Sequence, residues 1–428
     1  MKFIFNLKEK LAHPGFQRYF KNTGWMFFGQ MFSLLVAFFV GARIARYLGP
    51  ENYGVLNYVL SFAGIFGTIA SLGIDSILSR EIITYPEQKN KLLGTGFGIK
   101  IFGGSLAFIL ASISVLLMEN QFLIRLLVIL YSSVYILQAI NVISIYFQSE
   151  VKAKNNVKVQ LAVTILSAVL KILMMILHKG VIFIVFVYIF DFIWQAIGFI
   201  WIYKRSNFKI SNWSFDLPLA IKIWRNSWPL MLTAAVSFIY FKIDQVMIGR
   251  LMGKQEVGWY AAAVKIAEVS YFLPGIICGS LFPAIVNAKK VGVEFYHRRL
   301  KNFYLLMSII PILINVPIML LAEPIILILF GQDFIYSIGI LKIYTWSSIG
   351  LFLGWAVQYH LTSENFIKTI FFTNLIAMIT NIALNLVLIP KIGLYGSAYA
   401  TLISYSILPL SVLILKIKKI ENKIAINS

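Results

Sequence analysis

The sequence is poor in charge and in cysteine. Only 13% of its 428 residues are charged, whereas about a quarter are charged in ordinary soluble domains. Its one cysteine, Cys278, cannot form an internal disulfide bond, because that bond needs a second cysteine. Since Cys278 lies in an apolar run, we expect it to be a small buried residue. No stretch is long enough and polar enough to fold as a soluble catalytic domain. These absences argue against a large soluble enzyme and against a disulfide-stabilised secreted domain.

The chain also lacks the spacings typical of metal and nucleotide sites. Its four histidines lie in different loops and span ends, without the short intervals of zinc ligands; they are His13, His178, His297 and His360. Without a nucleotide site, the energy for any transport must come from an ion gradient, the membrane potential or the substrate gradient. We therefore predict no metal, no cofactor and no enzymatic activity.

Apolar residues make up 59% of the chain, and the mean hydropathy is +0.82. They occur in runs of about twenty residues or more, the length that crosses a ~30 Å hydrocarbon core as a helix. These runs lack the alternation of barrel strands. The sequence therefore predicts an all-α polytopic membrane protein. The twelve predicted spans are 24–44, 54–73, 92–117, 121–148, 157–177, 181–203, 226–249, 257–286, 301–322, 338–361, 367–389 and 393–416.

The net charge of +21 is explained once these spans are placed. With both termini inside, most of the 38 Lys and Arg residues fall in inside segments. The outside loops hold Arg43, Arg46, Arg125, Lys179, Arg250, Lys254 and Lys391. By the positive-inside rule, this asymmetry predicts a multi-pass protein of a bacterial inner membrane with both termini cytoplasmic. The excess of Lys and Arg therefore reflects the membrane topology and does not indicate a nucleic-acid partner.

Two similar segments suggest an internal repeat. Arg46 to Gly54 reads RYLGPENYG and Arg250 to Gly258 reads RLMGKQEVG, each in the outside loop after the first span of a half. Because each half has an even number of spans, the repeat is parallel, a design in which transporters rock two halves around a central substrate. The predicted segments are an amphipathic cytoplasmic N-terminus (1–21), an N-lobe (22–203), a cytoplasmic linker (204–225), a C-lobe (226–416) and a cytoplasmic tail (417–428).

Ionisable residues inside membrane spans are costly and usually face a cavity or a partner. The cations that we predict to bind substrate are Arg43, Lys100, Lys171, Lys242, Lys265 and Lys342. The acids that we predict to couple ions or form ion pairs are Asp75, Asp191, Asp244 and Glu268. Because the cations outnumber the acids, the sequence favours a cavity for an anionic headgroup such as a pyrophosphate over one for a lipophilic cation.

Several of these charges also have purely structural interpretations. Glu268 and Lys265 are three residues apart and can pair on one helical face, and Lys265 can alternatively meet Asp244. Arg43 and Lys342 can extend to the membrane interface. Asp75 is expected to form a local ion-pair cluster with the neighbouring Arg80 and Glu81. Four prolines are expected to kink the eighth and ninth spans: Pro274, Pro283, Pro311 and Pro317.

A set of motifs carries a family resemblance over essentially the whole chain. They are NTGW from Asn22, ARYLGPENYG from Ala45, LGID from Leu72 with Arg80-Glu81, IDQVMIGRLMG from Ile243, EVGWYAAAVKIAE from Glu256 and LYGSAYAT from Leu394. With them the sequence resembles the Wzx-type polysaccharide flippases of the MOP exporter superfamily. That resemblance implies a MATE-like fold, with two six-helix lobes arranged in a V around a central cavity.

The resemblance also implies a function without covalent chemistry. The substrate would be an undecaprenyl-pyrophosphate-linked oligosaccharide, moved from the cytoplasmic to the outer face for O-antigen, capsule or exopolysaccharide synthesis. Membrane lipids, the polymerase and other polysaccharide-assembly proteins would be its partners. Two alternatives remain open: a drug or small-cation antiporter on the same fold, which the acid-poor interior opposes, and a membrane polysaccharide polymerase or ligase, which the short outside loops oppose.

Overall fold

The computed structural model describes residues 14–364 and 366–410, and every regular element within them is a helix. The predicted tail 417–428 and most of the predicted amphipathic segment 1–21 lie outside these ranges. The α-helices are α1 (Pro14–Ala70), α2 (Asp75–Thr84), α3 (Lys89–Met118), α4 (Phe122–Ser132), α5 (Val134–Leu137), α6 (Val142–Ser149), α7 (Ala153–Ile176), α8 (Val181–Arg205), α9 (Leu217–Leu251), α10 (Lys254–Ala267), α11 (Leu273–Val291), α12 (Val293–Leu320), α13 (Ala322–Leu329), α14 (Ser337–Tyr344), α15 (Ser347–Ser363), α16 (Ile367–Ile392) and α17 (Leu394–Tyr405).

Within the described ranges, 10 helical stretches are long and apolar enough to cross a membrane. The first of them, Lys21–Thr84, has 64 residues, far more than the ~20 that one crossing needs. It contains both of the first two predicted spans. The all-α polytopic membrane fold is thus confirmed. The short helix α13 has 8 residues, too few to cross a membrane.

The predicted loop between the first two spans is shorter than expected. Helical turns reach it from both sides and form the two arms of α1, which meet at a kink where Gly49 leaves the helical region, with φ of 69° and ψ of 171°. A positive φ is available to glycine at little steric cost. Pro50 follows it and can begin the next helical turn, because it has no N–H that would go unpaired there. A single Gly-Pro step therefore redirects the chain where a loop was expected.

The chain divides into two compact units. Among the described residues, unit 1 holds those up to Ile44 together with Phe62–Ala235, and unit 2 holds Ala45–Ser61 together with those from Val236 onwards. The middle of α1 therefore belongs to unit 2, while both its ends belong to unit 1. The lobe ranges inferred from the sequence stay a prediction.

In unit 1 the segment that was predicted as a cytoplasmic linker packs tightly on α3. A Cβ atom on Gly94 would lie 2.5 Å from the carbonyl oxygen of Ser214, so this glycine permits a close approach of two backbones. Beside it, Lys91 forms a 2.7 Å ion pair with Asp216. The hydrogen bond from Lys91 holds the pKa of Asp216 below its usual value. Gly94 therefore has a packing role at the start of α3.

In unit 2 the two copies of the repeated segment lie against each other. A Cβ atom on Gly54 would lie 1.6 Å from the carbonyl oxygen of Lys254, and one on Gly258 would lie 1.9 Å from that of Pro50. The contact is reciprocal, because Lys254 and Pro50 occupy equivalent positions of the repeat. We call this contact the glycine crossing. Only residues without a side chain allow two helices to touch in this way.

The four prolines expected to kink two spans occupy different positions in their helices. The predicted eighth span is interrupted by a 3-10 turn at Glu268–Ser270, and Pro274 stands in the first turn of the helix that follows. Pro283 lies inside α11, and Pro311 and Pro317 lie inside α12. Each of these helices continues past its prolines, so the break that the structure shows comes before Pro274.

Candidate functional site

Unit 1 contains a polar pocket with a volume of about 610 Å³. Most of its lining side chains carry amide, hydroxyl or charged groups, which is unusual between membrane-spanning helices. The lining residues are Ala70, Ser71, Asp75, Ser76, Ser79, Lys100, Gln138, Asn141, Ser144, Ile145, Gln148, Gln195 and Phe199. They come from the end of α1, from α2, α3 and α8, and from the interrupted stretch between α4 and α6.

One wall of the pocket is built by the turn between α1 and α2. Leu72 and Gly73 both have positive φ values, 46° and 71°. A Cβ atom on Gly73 would lie 2.6 Å from the carbonyl oxygen of Ser227, so glycine meets both a conformational and a steric need. The hydroxyl of Ser227 donates a 3.1 Å hydrogen bond to the carbonyl oxygen of Leu72. This anchored turn lets α2 present Asp75 and Ser76 to the pocket.

The opposite wall is a stretch where the helix is interrupted. Between α5 and α6 the backbone runs as a 3-10 helix, Gln138–Asn141. A Cβ atom on Gly104 of α3 would lie 2.3 Å from the carbonyl oxygen of Tyr135, so α3 approaches this stretch closely. The polar side chains recur at intervals of three or four residues and therefore share one face: Gln138, Asn141, Ser144 and Gln148.

Lys100 and Asp75 form an ion pair at the pocket, with 2.7 Å between Nζ and Oδ1. The Lys100 side chain is 7% exposed, whereas that of Asp75 is 56% exposed. The expectation that Asp75 joins Arg80 and Glu81 is wrong, because Asp75 pairs with Lys100, while Arg80 pairs with Glu81 at 3.1 Å. Helix α2 turns Asp75 toward α3, where the buried ammonium group of Lys100 needs a counter-charge.

The neutral amides of the pocket have no hydrogen-bond partner among the described residues. These side chains are Gln138, Asn141, Gln148 and Gln195. A primary amide offers two donors and an acceptor with two lone pairs. Gln148 is exposed and the other three amides are half-buried, so a ligand can reach them. The pocket therefore presents donors and acceptors together, with the ring of Phe199 beside them. This chemistry suits a polyhydroxylated ligand better than an apolar or purely cationic one.

A second ionic group of unit 1 joins α7 and α8. The ammonium group of Lys171 lies 3.3 Å from Asp191 and 3.6 Å from the ring centroid of Tyr188. The hydroxyl of Ser167 donates a 2.8 Å hydrogen bond to the same carboxylate. Lys171 is 8% exposed, so its charge is compensated by its neighbours rather than by water.

We expect Asp191→Asn to lower the free energy of unfolding by about 3 kcal/mol, because it leaves the buried ammonium of Lys171 without a carboxylate. The double variant Lys171→Met, Asp191→Asn removes both charges and should recover most of that loss. Thermal unfolding of the purified protein in detergent measures both variants. Equal stability of the single and the double variant would contradict the compensation.

Unit 2 holds the other predicted acids. Glu268 pairs with Lys242 at 3.2 Å, and Asp244, which is 3% exposed, accepts a hydrogen bond from the hydroxyl of Tyr260. Lys242 and Asp244 thus have different partners, although they are only two residues apart. Lys265, one turn before Glu268, is half-buried.

Within each unit, the predicted site residues belong to separate groups. Lys100 and Asp75 line the polar pocket, while Arg43 and Lys342 are exposed. Lys171 and Asp191, Lys242 and Glu268, and Asp244 have the contacts described above, and Lys265 is half-buried. No cluster of three or more His, Cys, Asp and Glu side chains that could hold a metal ion occurs in the searched part of the chain, which is the described part.

Sequence reasoning missed the neutral residues of the pocket because it searched for charges. A readable signal was present, since polar residues at helical spacing interrupt a predicted span from Gln138 to Gln148. Gln195 gave no comparable signal, because it is a lone amide in the apolar span α8. Its place at the pocket depends on packing between helices that are distant in sequence.

Residues 19–289 match a family described as "Polysaccharide biosynthesis protein". A protein of Shigella flexneri whose name proposes O-antigen transport is 22% identical over 408 residues, 90% of this chain and 94% of the relative. An inward-facing multidrug resistance MATE family transporter of the MOP superfamily aligns with a TM-score of 0.69 at 14% identity, over 91% of this chain and 95% of that one. The lipid II flippase MurJ, in an inward closed conformation, aligns with a TM-score of 0.68 at 18% identity, over 91% and 87%.

At such low identity, the two solved structures support the fold and nothing finer. The family match covers more than half of the chain, and it confirms the resemblance inferred from the motifs. With ten stretches in its described part able to cross a membrane, the chain is a multi-pass membrane protein that belongs to the polysaccharide biosynthesis protein family.

Proposed function

We propose that this protein moves an undecaprenyl-pyrophosphate-linked oligosaccharide from the cytoplasmic to the outer face of a bacterial inner membrane by alternating access. The polar pocket of unit 1 is the observation that carries the proposal. Its amides lack protein partners among the described residues, and it offers both donors and acceptors at roughly the volume of a small-molecule site. An oligosaccharide has the matching set of hydroxyl groups.

The ion pair of the pocket fits the same substrate. The Lys100 ammonium is buried and neutralised by Asp75 at 2.7 Å, so the pocket has no large net charge. A neutral, hydroxyl-rich ligand can enter it without leaving an unpaired charge behind. A cationic drug would instead need an acid without a counter-charge, and the Asp75 carboxylate already has one.

The family match supports the pathway, and the names of relatives support the cargo. The Shigella flexneri relative is named for O-antigen transport, and the structural neighbour MurJ is named as a lipid II flippase. Both names describe movement of a sugar-bearing molecule across a membrane. We extend that cargo class to this chain, with the repeat unit of the host as the sugar and the assembly polymerase as the acceptor of the product.

The sidedness of the lipid-linked repeat unit tests this function. Right-side-out and inverted vesicles from a deletion strain would be probed with an impermeant sugar-modifying reagent. We expect the repeat unit to accumulate on the cytoplasmic face, and the wild-type gene to restore it to the outer face. Unchanged sidedness would rule out the flippase, and a drug-export assay would then test the antiporter. Altered product chain length with normal sidedness would indicate the polymerase or ligase.

A further inference from the structure

A groove lies between α7 and α8 in unit 1, separate from the polar pocket. It has a volume of about 410 Å³ and includes the start of α7 and the end of α8. Four polar side chains line its mouth, Asn155, Lys158, Arg205 and Ser206. We call it the α7–α8 groove. The positive-inside rule assigns this end of the two helices to the cytoplasmic side.

The two cations of the groove are not compensated by acids. No carboxylate lies within ion-pair distance of Lys158 or Arg205 in the part of the chain that the structure describes, and no acidic residue lines the groove. Both side chains are exposed. The guanidinium of Arg205 lies 5.2 Å from the ring centroid of Trp201, which holds it at the groove rather than extended into water. Two positive charges that line one groove without acids favour an anion there.

Apolar stripes lead away from these charges along both helices. On α7 the stripe contains Ile165 and Val169, which are 51% and 55% exposed, and on α8 it contains Ile197 and Trp201, which are 49% and 57% exposed. Large apolar side chains exposed on membrane-spanning helices face hydrocarbon. From Lys158 to Val169 the helix rises about 17 Å at 1.5 Å per residue. That length is about half of a ~30 Å bilayer core and so matches one leaflet.

The floor of the groove is shaped by a close helix contact. A Cβ atom on Gly198 would lie 2.8 Å from Cγ1 of Val159, so the glycine lets the helices touch there. Ala162, one turn further along α7, also lines the groove and is exposed. Small residues at both positions leave room for a hydrocarbon chain beneath the charged mouth.

We propose that the α7–α8 groove binds an anionic glycerophospholipid of the cytoplasmic leaflet. The phosphate lies between Lys158 and Arg205, with Asn155 and Ser206 as further hydrogen-bond donors. One acyl chain lies along the two apolar stripes. Charge complementarity selects an anionic headgroup over a zwitterionic one, and the length of the stripes selects a lipid over a free phosphate. This site is independent of the sugar that the transporter carries.

Native mass spectrometry of the purified protein, with added phosphatidylglycerol or phosphatidylcholine, tests the site. The variant Lys158→Gln, Arg205→Gln should retain one bound phosphatidylglycerol fewer than the wild type. The matched control is Lys154→Gln, Lys204→Gln, which removes the same charge from the same helix ends outside the groove lining. It should retain the wild-type number. Phosphatidylcholine should bind weakly and equally to all three proteins.

A variant that fills the groove distinguishes the binding of a whole lipid from the binding of a phosphate group alone. Ala162→Trp keeps both cations and occupies the path of the acyl chain, so it should also lose one phosphatidylglycerol. Excess inorganic phosphate should not displace the lipid from the wild type. Equal losses in the groove and control variants would overturn the proposal in favour of diffuse surface charge. Retention by Ala162→Trp together with displacement by phosphate would overturn it in favour of a simple anion site.

Discussion

Replacing Gln138 and Asn141 together by leucine should reduce the outward-facing lipid-linked oligosaccharide about a hundredfold. Both amides line the polar pocket, and neither has a hydrogen-bond partner among the residues that the structure describes. Each lost hydrogen bond to a neutral ligand weakens an interaction by about 1–1.5 kcal/mol, which is close to tenfold. Because no protein group loses a partner, the fold should tolerate the change.

The sidedness assay, normalised to the amount of protein in the membrane, measures this effect. The matched control is Asn120→Leu, Gln121→Leu, which removes the same two amide types from exposed positions just before α4. It should transport at the wild-type level. Normal transport by the pocket variant would show that the sugar binds elsewhere, even if deletion of the gene confirmed the flippase.

Substitution at the glycine crossing should have the largest effect on stability. We expect Gly54→Ala to lower the free energy of unfolding by about 3 kcal/mol or more, because a Cβ atom there would lie 1.6 Å from a backbone oxygen. A flexible side chain could move aside, but the backbone of Lys254 cannot do so without shifting α10. Gly258→Ala should cost a similar amount, since its Cβ atom would meet Pro50 in the same way.

Thermal unfolding in detergent, with the yield of folded protein, checks this prediction. Gly24→Ala is the control in the same helix, because a Cβ atom on Gly24 would meet nothing within 4 Å. The double variant at both crossing glycines should cost less than the sum of the two single variants, because one shift of the helices relieves both clashes. Strict additivity would mean that the two contacts act independently.

The sequence predicted the membrane fold well because long apolar runs have few alternatives in a bilayer. It also located the repeated glycines through their constant offset. It could not reveal that Gly54 and Gly258 face each other's helices, because spacing along one helix does not specify its neighbour. The connection between the first two spans is shorter than the expected loop, because Gly49 and Pro50 alone are enough to redirect the chain.

The candidate site was only partly predictable. Lys100 and Asp75 were found because charges inside spans are rare, but their pairing depends on how the turn at Gly73 directs α2. The lining amides were overlooked because a glutamine or asparagine in a span is not unusual enough to stand out singly. Their convergence depends on the 3-10 interruption, Gln138–Asn141, which propensities do not indicate.

A segment of helix α1 is synthesised long before the residues that it contacts in the folded protein. Its middle segment, Ala45–Ser61, belongs to the unit whose other residues begin at Val236, so its partners emerge from the ribosome much later. At about 5–20 residues per second, the roughly 190 residues up to Lys254 take about 10–40 s to make. During that interval Ser61 cannot yet donate its 2.7 Å hydrogen bond to Gln245. During that interval the nascent chain must hold this segment in the membrane without its later partners, so we expect an insertase or chaperone to shield it.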